Sequence, residues 1–160
     1  MELHSLPAHV LAKKIKDKEI SSVELTETFI ERIEKYDHKI NSVVVKTFDE
    51  ALEAAKQADK EISQNSIKGP LHGVPMTIKE SYNIKGQSTN WGIPDFKNNI
   101  ATEDGLAVQR FKKAGAHFMG KTNVPLNLAD FQSYNDVYGV TGNPWDVNKT
   151  PGGSSGGSAA

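Results

Sequence analysis

Apolar positions in the first third of the chain recur at helical spacing. Val10, Leu11 and Ile15 share a face between Pro7 and about Lys18, which predicts a first amphipathic helix. Ser21-Ser22-Val23-Glu24 has the order of a capping box, with a serine to accept early N–H groups and a glutamate three residues on to reach back. Behind it Leu25, Phe29 and Ile33 form one stripe, so a second helix is expected to end near Tyr36. The β-branched run Ser42-Val43-Val44-Val45-Lys46 predicts a strand. Asp49 to Ile62 is alanine-rich, with Leu52, Ala55 and Ile62 on one side and charges on the other, which predicts a third helix.

From Gly69 the character changes. Gly69-Pro70-Leu71-His72-Gly73-Val74-Pro75 is dense in chain-turning residues and runs into the apolar segment Met76-Thr77-Ile78-Lys79, a predicted strand. Ala107, Val108, Phe111 and Ala114 fit a helix, with Lys112 and Lys113 favourably placed in its last turn and Gly115 as its stop. Ala116-His117-Phe118-Met119-Gly120 follows as a strand. Strand, helix and strand in this order predict a βαβ unit and an α/β fold with a parallel sheet. Thr122-Asn123-Val124-Pro125 is expected to turn, Leu126 to Phe131 to form a short helix, and Gly142-Asn143-Pro144-Trp145-Asp146 to turn again.

Composition narrows the classes. The 160 residues carry 19 Lys+Arg against 20 Asp+Glu, for a net charge of −1, so there is no electrostatic footprint for nucleic acid or an anionic membrane surface. Small, roughly neutral partners are favoured. The absence of cysteine rules out disulfides, a thiol nucleophile and cysteine metal sites in this sequence. No run approaches the ~20 apolar residues of a membrane helix, and the N-terminal residues lack a signal-peptide stretch, so a soluble, cytoplasmic protein is expected. The five histidines, at positions 4, 9, 38, 72 and 117, show no metal-ligand spacing, and the charges of the leading helices are expected to be solvated faces.

Two places carry candidate chemistry. Lys79 closes a strand that reads as buried, where a lysine must snorkel to solvent, pair with a carboxylate such as neighbouring Glu80, or lose its proton. Burial lowers a lysine's pKa, and a neutral lysine is a usable general base. The hexapeptide Gly152-Gly153-Ser154-Ser155-Gly156-Gly157 offers two hydroxyls on a backbone free to adopt unusual conformations, or equally a flexible linker. It also satisfies Gly-x-Ser-x-Gly, the nucleophile elbow of α/β-hydrolases, as any Gly/Ser tract does; the Asp and His that should follow the serine are absent. Neither Ser-x-x-Lys of the β-lactamase type nor a phosphate-binding Gly-x-x-x-x-Gly-Lys-Ser/Thr occurs.

Taken together, Gly73-Val74-Pro75-Met76-Thr77-Ile78-Lys79, Gly120-Lys121-Thr122-Asn123, Gly142-Asn143-Pro144-Trp145-Asp146 and Pro151 to Ala160 resemble the amidase signature family in order and approximate spacing. The resemblance covers the chain from about Gly69 onward and fits the leading helices more loosely. It implies a largely parallel, helix-covered sheet and a serine-dependent amide hydrolase that uses no histidine, metal or cofactor and acts on a small-molecule amide. It implies roles as well: Lys79 as the ultimate base, and Ser154, after a cis peptide bond, as the relay between lysine and nucleophile. A serine hydroxyl is a weak nucleophile until a base takes its proton, and a neutral lysine can take it through a second hydroxyl. Ser155 is expected to support this network by hydrogen bonding.

The sequence departs from the family pattern in informative ways. The family's nucleophilic serine lies in a second motif, Gly-Ser-Asp-x-Gly-Gly-Ser, which these 160 residues do not contain. The expectation is therefore an N-terminal fragment, residues 1–66 forming a helical region and 67–160 the start of an incomplete α/β core, inactive alone. An inert truncated domain that binds a ligand or partner is the alternative. Glu80 stands where the family usually has aspartate, and Asn90 and Trp91 replace small residues. The stretch from Thr122 to Asn135 differs from the Thr-Asn-Met-Asp-Glu-Phe pattern of the family's tRNA-dependent amidotransferases, which amidate misacylated tRNA. It looks more like stand-alone bacterial amidases, and a subunit of such an amidotransferase is a further alternative.

Overall fold

A computed structural model of the chain describes residues 2–160. They fall into two compact units interleaved in sequence. The first comprises the chain up to Ile33, Thr47–Met76 and Gln109–Met119; the second comprises Glu34–Lys46, Thr77–Val108 and Gly120–Ala160. Five α-helices and five strands are formed among the described residues: α1 (Ala8–Lys16), α2 (Ser22–Ile40), β1 (Val43–Lys46), α3 (Phe48–Ser63), β2 (Pro75–Lys79), α4 (Leu106–Lys113), β3 (His117–Thr122), β4 (Tyr134–Asn135), β5 (Gly139–Val140) and α5 (Gly156–Ala159).

The first unit is built on the predicted amphipathic faces. Leu11 and Ile15 of α1, Leu25 of α2, Ile62 of α3 and Val74 close one apolar core, with Phe29 and Leu71 packed against it. The serine half of the capping box forms, Glu24 N donating to Ser21 Oγ at 2.9 Å. Its glutamate half does not: Glu24 is exposed, and the Asp59 carboxylate of α3 accepts from Ser22 N at 2.7 Å and Val23 N at 3.1 Å instead. A carboxylate from another helix thus satisfies two other orphan donors of the same helix end and adds charge complementary to the helix dipole. Gly115 ends the α4 segment with φ +95°, and a Cβ there would stand 2.6 Å from His72 Cα, so both backbone conformation and close approach require glycine.

The three-stranded sheet has the order β1-β3-β2. β1 pairs antiparallel with β3, Val45 opposite Lys121 and Lys46 opposite Gly120, with a bulge between Val43 and Val45. β2 and β3 run parallel, since His117 N donates to Val74 O and Glu80 N to Thr122 O, both numbers rising together. The βαβ unit β2-α4-β3 is the one expected, whereas the antiparallel β1 makes the sheet mixed.

In the second unit three features differ from the sequence reading. Helix α2 runs to Ile40, four residues past Tyr36, because the Asp37 carboxylate accepts from Ser42 N at 2.7 Å, Val43 N at 3.1 Å and the Ser42 hydroxyl, and Asn41 ends the helix in the left-handed region at φ +59°. No helix spans 126–131. Leu126–Leu128 is a single 3₁₀ turn, since Asn127 and Leu128 adopt φ +53° and +60° and Asn127 N donates to Trp91 O at 2.8 Å. The hairpin β4-β5, Tyr134 opposite Val140 and Asn135 opposite Gly139, lacks the alternating apolar residues that would have announced it. Among the described residues no helix is long and apolar enough to cross a membrane.

One buried histidine in the first unit is expected to make stability depend on pH. Thr26 Oγ1 donates to Ser22 O, so the hydrogen shared with His117 at 3.0 Å sits on Nε2. Burial pushes the His117 pKa down to about 4, against an opposing pull from Asp59. Between pH 6.5 and 4 the unfolded chain therefore takes up a proton that the folded chain refuses, so stability falls as pH falls through that window, by up to ~3 kcal/mol. Urea unfolding at pH 7 and pH 4.5 measures this loss, and His117→Gln is expected to reduce it.

Candidate active site

Both candidate residues lie in the second unit. Successive side chains on a strand point to opposite faces, so at the end of β2 Ile78 is buried, Lys79 half-buried on the other side, and Glu80 buried again. Lys79 Nζ donates to Ser154 Oγ at 2.6 Å, across 75 residues of sequence. Burial holds the Lys79 ammonium below its ordinary pKa, with no compensating carboxylate. The Gly153–Ser154 peptide bond is cis. The third candidate stands apart: Ser155 is exposed, its hydroxyl does not cap α5, and its carbonyl accepts from Ser158 N at 3.0 Å and Ala159 N at 3.1 Å. The expected side-chain support from Ser155 is not formed among the described residues.

Glu80 does not pair with Lys79. Its fully buried carboxylate faces the other way, where it accepts from Asn90 N at 2.6 Å, Trp91 N at 3.0 Å and the Tyr138 hydroxyl at 3.1 Å. Two successive N–H groups converge on it because Trp91 adopts φ +56°, turning the backbone into a small anion-binding concavity. Burial raises the Tyr138 pKa to about 12, so its hydroxyl stays a donor. The loop's other side is held by Lys121 of β3, also fully buried, which donates to Thr89 Oγ1 at 2.6 Å and to Ser88 O. Burial lowers the Lys121 pKa to about 8 while the Glu80 charge opposes the fall.

The Gly/Ser segment is fixed by the strand neighbouring Lys79. Gly157 N donates to Asn123 O at 3.3 Å, and Thr122 Oγ1 lies 2.6 Å from Ser158 Oγ. A Cβ on Gly157 would overlap Asn123 N and stand 2.6 Å from Ser42 O, so glycine is needed here for proximity. Ordered on both sides, the hexapeptide is no linker. Among the described residues no group of three or more His, Asp or Glu is arranged to hold a metal ion.

Sequence reasoning singles out Lys79 and Ser154, which the structure brings together, and quotes Lys121 and Asn123 within a motif, but it foresees neither the bonds of Lys121 nor the Glu80 anchor. The available signal is weak: Lys121 sits in a strand whose six residues are all buried, yet the apolar run that announces this strand stops at Gly120.

With this arrangement in view, the chain belongs to the amidase family, the amidase-signature enzymes, whose family model matches residues 24–160. It is 40% identical over all 160 residues to a glutamyl-tRNA(Gln) amidotransferase subunit of Carboxydothermus hydrogenoformans, and spans about a third of that protein's length (33%). Its fold superposes on a fatty acid amide hydrolase with a TM-score of 0.93 at 34% identity, covering 97% of this chain and 27% of that one. It superposes also on the peptide amidase from Stenotrophomonas maltophilia with a TM-score of 0.87 at 29% identity, covering 96% and 33%.

The buried carboxylate supports a direct test. Glu80→Ala leaves two N–H groups and a phenol without their acceptor and is expected to cost about 3 kcal/mol, while Glu80→Gln, which keeps one acceptor oxygen, costs less. Urea unfolding of both variants checks the order. Equal losses would show that packing, not the carboxylate, holds the 88–91 loop.

Proposed function

We propose that Lys79 and Ser154 are the base and the proton relay of a serine-dependent amide hydrolase. The 2.6 Å contact between Lys79 Nζ and Ser154 Oγ carries this reading. A lysine kept from its full hydration gives up its proton more readily, and a hydroxyl can accept a proton from one side while passing its own to the other. Neutral Lys79 takes the Ser154 proton as Ser154 takes that of the attacking serine. On collapse of the tetrahedral intermediate the proton returns along the same path to the leaving amine. The attacking serine is that of the family's Gly-Ser-Asp-x-Gly-Gly-Ser motif, absent from these 160 residues.

Two observations bear on the substrate. Identity of 40% to a glutamyl-tRNA(Gln) amidotransferase subunit supports a second reading, in which the same chemistry releases ammonia from glutamine for a partner. Against it stand Val124-Pro125-Leu126 where the amidotransferase pattern has Met-Asp-Glu, and Trp91, 43% exposed on the loop anchored by Glu80, in place of a small residue. An apolar small-molecule amide is the substrate class favoured here.

The test uses a polypeptide that also carries the second serine motif. Lys79→Ala and Ser154→Ala are each expected to lower kcat for a simple aryl or alkyl amide by ~10²–10⁴-fold. In the unaltered enzyme kcat/KM rises with pH as Lys79 loses its proton, and this limb lies below the ordinary lysine range because burial lowers the pKa. Full activity of Lys79→Ala would sink the assignment. Activity on glutamine alone, with none on simple amides, would favour the amidotransferase reading.

A further inference from the structure

The segment Gly152–Gly156 is costly to hold in one shape. Three of its five residues are glycines, Gly152 adopts φ +93°, and fixing such a backbone costs about 1–2 kcal/mol per residue, more for glycine than for any other type. Something outside the segment must restrain it if Ser154 is to stay within hydrogen-bond reach of Lys79.

Ser133 supplies that restraint. Its hydroxyl, buried with the residue only 2% exposed, accepts from Gly156 N at 2.9 Å and donates to Gly152 O at 3.4 Å, so a single oxygen joins the two limbs of the loop on either side of Ser154. The fit is close: a Cβ on Gly156 would overlap the Ser133 hydroxyl, and one on Gly153 would stand 2.5 Å from Gln132 N. The backbone of 131–133 is thus a mould against which the loop is pressed. The mould is itself anchored. Ser133 O accepts from Thr141 N at 2.9 Å, and the next residue but one, Asn135, donates to Asn123 Oδ1 at 3.0 Å and Val124 O at 2.7 Å.

We propose that Ser133 is a positioning residue of the catalytic site, its hydroxyl bridging Gly152 O and Gly156 N so that Ser154 is held against Lys79. The inference rests on the base-and-relay reading given above. The ionisable groups of the surrounding elements are committed elsewhere: Glu80 to Asn90, Trp91 and Tyr138, Lys121 to Ser88 and Thr89, the Asp130 carboxylate to the Tyr134 hydroxyl, and Lys149 to Asp146. None of them touches Ser133, so a change there reaches Lys79 through the loop. With the bridge gone the loop loosens, water replaces Ser154 beside the ammonium, and the burial that depresses Lys79 is relieved.

The readout is the titration of the Lys79 side chain, followed by NMR in the lysine-labelled protein and assigned by the signal lost in Lys79→Arg; it needs no turnover. In the unaltered chain Lys79 is expected to titrate below an ordinary lysine. In Ser133→Ala its midpoint is expected to rise toward the ordinary value as burial is relieved. Ser133→Thr, which keeps the hydroxyl, restores the low midpoint, and Ser133→Cys, close in size but a weak bonding partner, behaves as the alanine variant with the packing preserved. An unchanged midpoint in Ser133→Ala or Ser133→Cys overturns the inference and leaves the base reading standing. Equal shifts in the alanine and threonine variants also overturn it, assigning the effect to packing. An ordinary titration of Lys79 in the unaltered chain removes the base reading itself, and the role of Ser133 with it.

Discussion

The second unit depends on one side chain having every bond it can make. Asn123, at the end of β3, is fully buried, and its backbone N–H donates to Ser42 O while its carbonyl accepts from Gly157 N. Its Oδ1 accepts from Val124 N and Asn135 Nδ2, and its Nδ2 donates to Gly139 O and Thr141 Oγ1. An unpaired amide in that position would cost about 1–3 kcal/mol per group, so the six bonds act as a set of mutual constraints rather than as independent gains. The start of β1, the β4-β5 hairpin and the Gly/Ser segment are all referred to a single point at the end of the strand neighbouring Lys79.

That geometry explains why the motif is rich in glycine for reasons beyond pliancy. Gly157 lies against the backbone of Asn123 and Gly156 against the hydroxyl of Ser133, in spaces that a methyl group would fill. Tight packing against a fixed backbone converts glycine's conformational freedom, a liability in the unfolded chain, into the close approach that a side chain would prevent. The cost is offset by restraints from outside the loop, and these lie on elements far away in sequence.

This is also what divides the legible from the illegible. Helical stripes such as Leu11 with Ile15, and a strand-end lysine after an apolar run, are local patterns whose period or position survives in the sequence alone. The βαβ order and the Lys79–Ser154 candidates followed from such patterns and from the motifs. The partners of Glu80 and Lys121 did not, because Tyr138 lies 58 residues from Glu80 and Thr89 lies 32 from Lys121, and polar residues in turn-rich stretches look like solvated loop. The extra turn of α2 was hidden for a related reason: Asp37 reads as a surface charge until its carboxylate is seen closing the turn onto Ser42 and Val43. The missing helix at 126–131 shows the converse, a local propensity overridden by a backbone bond to Trp91.

The two lysines on neighbouring strands separate stability from chemistry. Both are pushed below the ordinary lysine pKa by burial. Lys121 is sealed in, with Thr89 buried beside it and Glu80 favouring its charge, so any proton it released would have nowhere productive to go. Lys79 has no carboxylate to hold its proton, and its partner Ser154 is only half-buried. A base must be dry enough to lose its proton and open enough for the proton's source to arrive. Lys121 meets the first condition alone, and so serves to fix a loop. On the reading proposed above Lys79 meets both, provided that the loop bearing Ser154 is kept from moving away.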